Sequence, residues 1–203
     1  MSTPYEASGR VEQKSRTRTA LVTAAREMVS RGLAPSVPET ADAAGISRTT
    51  AYRYFPNQRT LLAAAHPETG AESMLGDNPS TDPAKRLDEV IARFTAVILE
   101  TEAQQRTMLR LSLEDDPEAR GGQPLRQGRA IGWITEALDP LRDQLSDDEL
   151  HRLVLAIRSA TGIEALVWLT DIGGLSREAA VELMRWSAQS MLQAALGATS
   201  RTG

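Results

Sequence analysis

The sequence contains no cysteine and only two histidines, and these absences exclude several classes of function. Without cysteine the chain has no disulfides, no zinc ribbon, no iron–sulfur ligands and no thiol nucleophile. His66 and His151 are far apart in the sequence and form no pair with metal-ligand spacing, which disfavours a metal site or a Ser-His-Asp triad. The sequence therefore predicts no metal, no cofactor and no catalytic residues.

Long apolar runs are also missing. The first ten residues, MSTPYEASGR, are polar and do not resemble a secretory signal. The longest apolar runs, such as 165–169, are far shorter than the roughly 20 residues that span a bilayer. We therefore expect no membrane association and a cytoplasmic location. With 203 residues, of which 41% are hydrophobic and 25% charged, the composition is that of a globular protein with one large or two small domains.

The chain has no overall basic excess, since its net charge is −4, but the charge is unevenly distributed. Residues 1–66 carry a net charge of +4, and the remainder carries −8. A basic front joined to an acidic body favours contact of the front alone with a polyanion. Chance variation in surface charge is the alternative interpretation.

Glycine and proline divide the sequence into helix-length segments, and strand-like alternation of useful length is not found. We therefore predict an all-α fold. The expected helices are at about 15–31, 37–44, 48–55, 57–66, 84–101, 103–114, 125–138, 147–171 and 176–196. The predicted organisation is a flexible basic arm at 1–14, a domain of short helices at 15–66, a connection at 67–83, a helical domain at 84–197 and a tail at 198–203.

Residues 37–56, VPETADAAGISRTTAYRYFP, fit a helix-turn-helix motif. Ala41 is the small residue needed where two helices touch, and Gly45 tolerates positive φ in the tight turn. Ser47 is placed to cap the second helix. That helix would expose side chains able to reach bases and phosphates in a major groove, namely Arg48, Thr49, Tyr52 and Arg53. The alternative is a helical corner inside a bundle.

Together with the preceding AREMVSRG, the segment SVPETADAAGISRTTAYRYFPNQRTLL resembles the DNA-binding region of the TetR family of transcriptional regulators. In that family an amphipathic first helix ends at glycine, and a capped second helix ends in Ala-Gly. An apolar residue and a serine then precede the recognition helix. The resemblance implies DNA-binding roles for Ser36, Ser47, Arg48, Thr49, Thr50, Tyr52 and Arg53.

Some positions depart from the family pattern. Pro38 stands where many members have a polar or basic residue, and Gln58 replaces a lysine that commonly meets a phosphate. Thr40 and Ala51 make the small core less apolar than is typical. We therefore expect binding to depend more on the basic residues of the arm, which are Arg10, Lys14, Arg16 and Arg18.

The resemblance further implies that the C-terminal helices form a ligand-sensing bundle whose last two helices make a homodimer interface. Both helices carry apolar residues on more than one face, as expected for burial on two sides. A monomer with a thick core is the alternative. The residues concerned are Leu150, Leu153, Val154, Ile157 and Thr161, then Leu155, Leu166 and Leu169, and finally Leu183, Met184, Trp186, Met191 and Leu192.

A small-molecule site is less clearly indicated. Candidate residues for an apolar cavity are Phe94, Met108, Leu111, Trp133 and Trp168, with Ile134 as a further member. Gln104, Arg158 or Glu164 could orient a ligand in such a cavity.

The resemblance implies a repressor that binds an inverted-repeat DNA operator as a dimer and is released by a small, mostly apolar effector. An effector-free dimeric regulator is the first alternative. The second is an all-α enzyme using a carboxylate such as Glu164, although the sequence offers no second positioned catalytic group.

Overall fold

The computed structural model describes the backbone of residues 4–65, 72–113 and 128–199, and the side chains of residues 12–65, 72–113 and 128–197. The described residues form helices and no strand, which confirms the all-α prediction. The helices are α1 (Pro4–Ser30), α2 (Val37–Ala43), α3 (Arg48–Tyr54), α4 (Gln58–Ala64), α5 (Pro83–Glu100), α6 (Glu102–Ser112), α7 (Arg129–Ala137), α8 (Asp147–Thr161), α9 (Ile163–Val167) and α10 (Arg177–Thr199).

Two helix ends differ from the sequence prediction. Helix α1 begins at Pro4, so residues 4–14 are helical and not the flexible arm that we expected. Proline is compatible with a first helical turn, and a pair of exposed side chains one turn apart, Glu12 and Arg16, supports the added turns. At the other end, α10 continues to Thr199, past the predicted start of the tail at residue 198.

The chain divides into two compact units whose boundaries also differ from the prediction. The first unit contains the described residues of 1–69 and 103–127, and the second contains those of 70–102 and 128–203. Nearly all of α6 therefore belongs to the first unit, although its amphipathic pattern had suggested a place in the C-terminal domain. The predicted domain limit at His66 lies outside the described residues.

The core of the first unit forms where α1 to α4 meet. Ala41 on α2 and Ala51 on α3 have no exposed surface, which allows a close approach of the two helices. Between them Gly45 adopts φ +65°, and the Ile46 N–H donates to the Ala41 carbonyl over 2.9 Å. The buried members of this core are Leu21, Val22, Ala25, Val37, Ala41, Ala51, Phe55, Leu61 and Ala65.

The second unit is built from α5, α7, α8, α9 and α10. The rings of Phe94 and Trp133 meet edge to face, with centroids 5.9 Å apart, in its interior. Arg185 on α10 forms a bidentate pair with Asp88 on α5, in which Nε donates to Oδ1 over 3.0 Å and Nη2 donates to Oδ2 over 2.7 Å. The apolar stripe of α8 that we predicted (Leu150, Leu153, Val154, Ile157 and Thr161) is buried in this core.

The predicted single helix over 147–171 is interrupted at Gly162. That residue has an extended backbone, with φ −93° and ψ −177°, and the stretch continues as α9 and one π-helical segment to Ile172. By length and composition, Asp147–Ile172 is the one described helical stretch that could span a bilayer. One face of α8 is buried in the second unit, and a single stretch of this kind is weak evidence for a membrane span.

The turn at Gly45 generates a stability prediction. Gly45→Ala should lower the free energy of unfolding by about 1–2 kcal/mol, because a residue with Cβ is strained in the left-handed region. A Cβ added to Gly45 would meet no heavy atom within 4 Å, so the cost comes from the backbone alone. Urea denaturation followed by circular dichroism measures this change.

A matched control is Gly132→Ala in the interior of α7, where a Cβ also meets nothing within 4 Å and φ is not positive. This variant should be stabilised by about 0.5–1 kcal/mol. Equal stability of Gly45→Ala and the wild type would show that the turn does not depend on glycine.

Candidate nucleic-acid interface

Helix α2 begins with a complete capping box. The Glu39 N–H donates to Ser36 Oγ over 3.3 Å, and the Ser36 N–H donates to Glu39 Oε2 over 2.7 Å. Hydrogen bonds from the Ser36 hydroxyl and N–H lower the pKa of Glu39. The hydroxyl of Ser36, which we predicted to contact DNA, therefore has a structural role in the free protein. Thr40, which replaces an aliphatic residue, is fully buried, and its hydroxyl donates to the Ser36 carbonyl over 2.9 Å.

Ser47 caps α3 as predicted. Its hydroxyl accepts from the Thr50 N–H over 3.3 Å and donates to Thr50 Oγ1 over 2.8 Å. These contacts hold Ser47 and Thr50 at the first turn of the helix. The cap fixes the start of α3 and does not involve the other polar side chains of the helix.

Helix α3 exposes the polar face that the sequence predicted. Arg48, Thr49, Tyr52 and Arg53 are exposed, whereas Ala51 is buried and Tyr54 packs on the core of the first unit. Phe55, directly after the helix, is buried. The face carries two guanidinium groups, one phenol and one hydroxyl, which can donate to base edges and phosphates.

Sequence reasoning missed the partner of Arg48, which is Asp42 on α2. Arg48 Nη2 donates to Asp42 Oδ2 over 2.8 Å, and Nε donates to Oδ1 over 3.4 Å. This hydrogen-bonded pair raises the pKa of Arg48 and lowers the pKa of Asp42. Their separation of six residues across a turn matches no single-helix spacing rule, so only the geometry of the turn reveals the pair.

Gln58, at the start of α4, has a structural role. Its side-chain nitrogen donates to the carbonyls of Ala34 and Pro35, over 2.8 and 3.2 Å, just before α2. The residue thereby fixes the entry to the helix-turn-helix. This use of the amide explains how a position that the family pattern gives to a phosphate-binding lysine serves the fold here.

The basic residues predicted for the arm lie along α1. Arg16 pairs with Glu12 over 3.3 Å, and the Arg18 guanidinium lies 5.6 Å from the Phe55 ring centroid. Lys14 is exposed, and the side chain of Arg10 lies outside the described residues. Arg18 therefore covers the core of the first unit as well as contributing charge.

The residues predicted to line one effector cavity are distributed over three places. Met108 is buried against Val29 and Leu62 in the first unit, with Leu111 packed on the same cluster. Phe94 and Trp133 are buried together in the second unit. Trp168 is exposed. A single cavity lined by all of them stays a prediction, because an apolar pattern shows that residues are buried but not which residues they contact.

The polar candidates have partners of their own. Gln104 is buried in the first unit and donates to the Ala65 carbonyl over 2.7 Å. In the second unit Arg158 donates to Glu164 over 3.3 Å, and its guanidinium lies 5.5 Å from the Phe94 ring centroid. A Cβ at Gly162 would collide with Arg158, so glycine provides the space for this pair.

An apolar groove lies on the second unit between the α8–α9 stretch and α10. Its volume is about 370 Å³, and Trp168, Leu169, Leu183 and Met184 form much of its lining. Trp186 and Ile172, close in sequence to these residues, are strongly exposed. We call this surface, with Leu155, Trp168, Ile172, Leu183 and Trp186 as its exposed members, the apolar face.

Comparison with known proteins agrees with this geometry. Residues 20–65 match the profile of the family described as bacterial regulatory proteins, tetR family. The fold is similar to the crystal structure of a TetR transcriptional regulator from Rhodococcus sp. RHA1, with a TM-score of 0.58 and 19% sequence identity. The match covers 88% of this chain and 97% of the other. No curated protein matches the chain significantly.

The matched residues include the whole of α2, α3 and α4, together with the cap at Ser47 and the turn at Gly45. The family consists of DNA-binding transcription factors and not of enzymes. The helix-turn-helix geometry and the profile match identify residues 20–65 as a DNA-binding domain of the tetR family type, and the chain shares the fold of the TetR transcriptional regulator from Rhodococcus.

Proposed function

We propose that the protein is a cytoplasmic repressor that binds an inverted-repeat operator as a homodimer and is released by a small, mostly apolar effector. The observation that carries the DNA-binding part is the exposed polar face of α3, held by a capped N-terminus and a glycine turn. A helix presented in this way can enter a major groove with its first residues toward the bases.

The roles along α3 follow from position and chemistry. Arg48 and Thr49 lie in the first turn, where a recognition helix approaches base edges, so we assign them base contacts. Tyr52 and Arg53 lie one turn later and are assigned phosphate contacts. Ser36, Ser47 and Thr50 are already engaged in caps, so we assign them backbone positioning and, at most, phosphate contacts.

The experiment that tests this proposal is selection of bound duplexes from a random pool, followed by titration of the best sequence at several salt concentrations. The selected sites should have inverted-repeat symmetry, because a twofold dimer presents two recognition helices. Affinity should fall steeply with salt, since phosphate neutralisation releases counterions. Recovery of no sequence, or salt-independent binding, would contradict the DNA-binding assignment.

Homodimerisation is supported by the apolar face on the second unit. Trp186, 65% exposed, and Trp168, 58% exposed, are unusually large apolar side chains to leave in water. Only 39% of the most apolar part of Asp147–Ile172 is buried within the chain. A second copy of the same face would cover these side chains and bring two helix-turn-helix domains into one assembly.

Trp186→Glu should convert the protein to a monomer that no longer binds the inverted repeat tightly. An unpaired carboxylate at an apolar interface costs several kcal/mol, and a twofold interface contains it twice. Sedimentation velocity measures the oligomeric state. Leu113→Glu is the matched control, since Leu113 is an exposed apolar residue of the first unit, whereas the apolar face belongs to the second. A Trp186→Glu dimer would show that the interface lies elsewhere.

A charge at Met184 does not test homodimerisation in the same way, although the sequence pattern placed this residue in the dimer interface. Its side chain has no exposed surface in the single chain. A charge at this position would disrupt the core of the second unit and change folding and assembly together. Leu183 and Trp186, its exposed neighbours on α10, are the residues that report on assembly alone.

The effector response is supported by the course of α6. Glu102, its first residue, belongs to the second unit and pairs with Arg177 at the start of α10 over 2.5 and 3.1 Å. The following turns belong to the first unit, where Gln104 contacts the end of α4 and Met108 packs on Leu62. Because the chain passes from the second unit into the first within α6, we expect a ligand-induced shift of the second unit to reach the first along this helix.

We place the effector in the second unit, next to the Phe94 and Trp133 rings. A mostly apolar molecule gains most of its affinity from buried surface, and these two rings are the buried aromatic side chains of the described part of that unit. Arg158, over the Phe94 ring, adds one charged group that can bind a polar substituent.

A screen of small apolar molecules should find a compound that raises the melting temperature and lowers operator affinity by the equivalent of about 1–3 kcal/mol. Arg177→Gln should weaken that coupling while leaving operator affinity without ligand nearly unchanged, because it removes the Arg177–Glu102 pair. If no compound in a broad library changes either quantity, the effector-free dimeric regulator replaces this part of the proposal.

A further inference from the structure

Asp42 places a carboxylate within the surface that we propose to contact DNA, and it forms an ion pair there with Arg48. Both side chains are more than half exposed, so the pair is not needed to satisfy buried charge. Exposed ion pairs contribute little to folding stability. Moreover, a carboxylate at a DNA-facing surface repels phosphates. Stability and general DNA affinity therefore do not account for Asp42 at this place, and its geometry toward Arg48 suggests another role.

The carboxylate occupies one particular edge of the guanidinium. The contacts go to Nε and Nη2, over 3.4 and 2.8 Å, which is the side-on edge of the planar group. The adjacent end-on edge, formed by Nη1 and the second hydrogen of Nη2, makes no hydrogen bond to Asp42. This end-on edge carries two parallel N–H donors, the pattern that matches O6 and N7 of guanine.

The position of the pair in the motif sets the direction of that edge. Asp42 lies near the end of α2, and Arg48 is the first residue of α3, directly after the Ser47 cap. The turn between them is fixed by Gly45 and by the Ile46 N–H bond to the Ala41 carbonyl. Because both ends of the pair are attached to ordered helices, Asp42 restricts the rotamers of Arg48 before DNA arrives.

We infer that Asp42 is a specificity-determining positioning residue, which holds Arg48 so that its end-on edge reads a guanine in each operator half-site. The inference rests on the proposed role of α3 in the major groove. A free arginine loses much side-chain entropy when it forms a bidentate contact, and an arginine already held by a carboxylate loses less. The smaller entropy loss favours only the base that accepts both N–H groups, so Asp42 raises the discrimination between bases. Its negative charge lowers the affinity for DNA in general.

The mutual charge effects agree with this role. Hydrogen bonding to Asp42 raises the pKa of Arg48, and the same bond lowers the pKa of Asp42, so the pair remains ionised around neutral pH. The carboxylate therefore accepts from Arg48 throughout the range in which DNA binding is measured.

The test uses the full-length protein and the duplex selected with the wild type. Arg48→Ala first identifies the half-site guanine whose preference depends on Arg48. Affinity is then measured for that duplex and for one with A·T at the same position. Asp42→Asn should reduce the ratio of the two affinities about 5-fold or more, the lower end of the discrimination given by one bidentate pair. General affinity should rise, because one negative charge is removed.

Three variants control the result. Glu12→Gln removes a carboxylate that pairs with an exposed arginine of the same unit, and it should leave the affinity ratio unchanged. Asp42→Glu keeps the negative charge, and the ratio of the affinities for the two duplexes should stay close to that of the wild type. In an Arg48→Ala background, Asp42→Asn should have no further effect on the ratio, since the group that it positions is absent.

The outcomes separate the inference from the proposed function. An unchanged ratio in Asp42→Asn would overturn the inference. An increased ratio would also overturn it and would show that Asp42 competes with DNA for Arg48. Loss of affinity without any position-specific change in Arg48→Ala would also overturn it, since Arg48 would then contact phosphate. In both cases DNA binding by the wild type would stand. Failure of the wild type to bind any selected duplex would overturn the proposed function and the inference together.

Discussion

The close approach of α2 and α3 is the constraint on which the exposed polar face of α3 depends. The left-handed backbone at Gly45 reverses the chain within a few residues, and the small side chains of Ala41 and Ala51 allow the helices to touch. This packing fixes the direction of α3 and brings Asp42 within hydrogen-bond distance of Arg48. A longer turn or a larger residue at the contact would change the cap, the exposed face and the arginine pair together.

Local features of the sequence were sufficient to predict this motif. A turn glycine, a capping serine and a small contact residue act over spacings of a few residues, so their positions in the chain determine their positions in space. The same holds for the buried stripe of α8, whose members recur at helical spacing. Seven helices of the described chain begin within two residues of their predicted starts for this reason. The exposed face of α3 followed directly, because burial of Ala51 sets the rotation of the helix.

Contacts between distant parts of the sequence could not be predicted in the same way. Met108 and Leu111 were recognised as apolar, but their partners Val29 and Leu62 lie in the first unit and not in the C-terminal domain. The periodicity of apolar residues shows which side of a helix is buried, but it does not show which residues cover that side. The pair of Asp42 with Arg48 was missed for a related reason, since it crosses a turn whose exact geometry sets the distance.

The two units leave different kinds of surface in contact with water. On the first unit the exposed face of α3 is polar and carries arginine, whereas on the second unit the apolar face exposes Trp168 and Trp186. An apolar surface gains free energy by meeting another apolar surface, while arginine at a surface keeps its hydration until a phosphate or base replaces it. The proposed assembly and DNA binding therefore depend on different physical interactions, and we expect salt to weaken DNA binding far more than assembly. The role that we propose for Asp42 is a third one, because it directs one cation toward a base at a cost in general DNA affinity from its own charge.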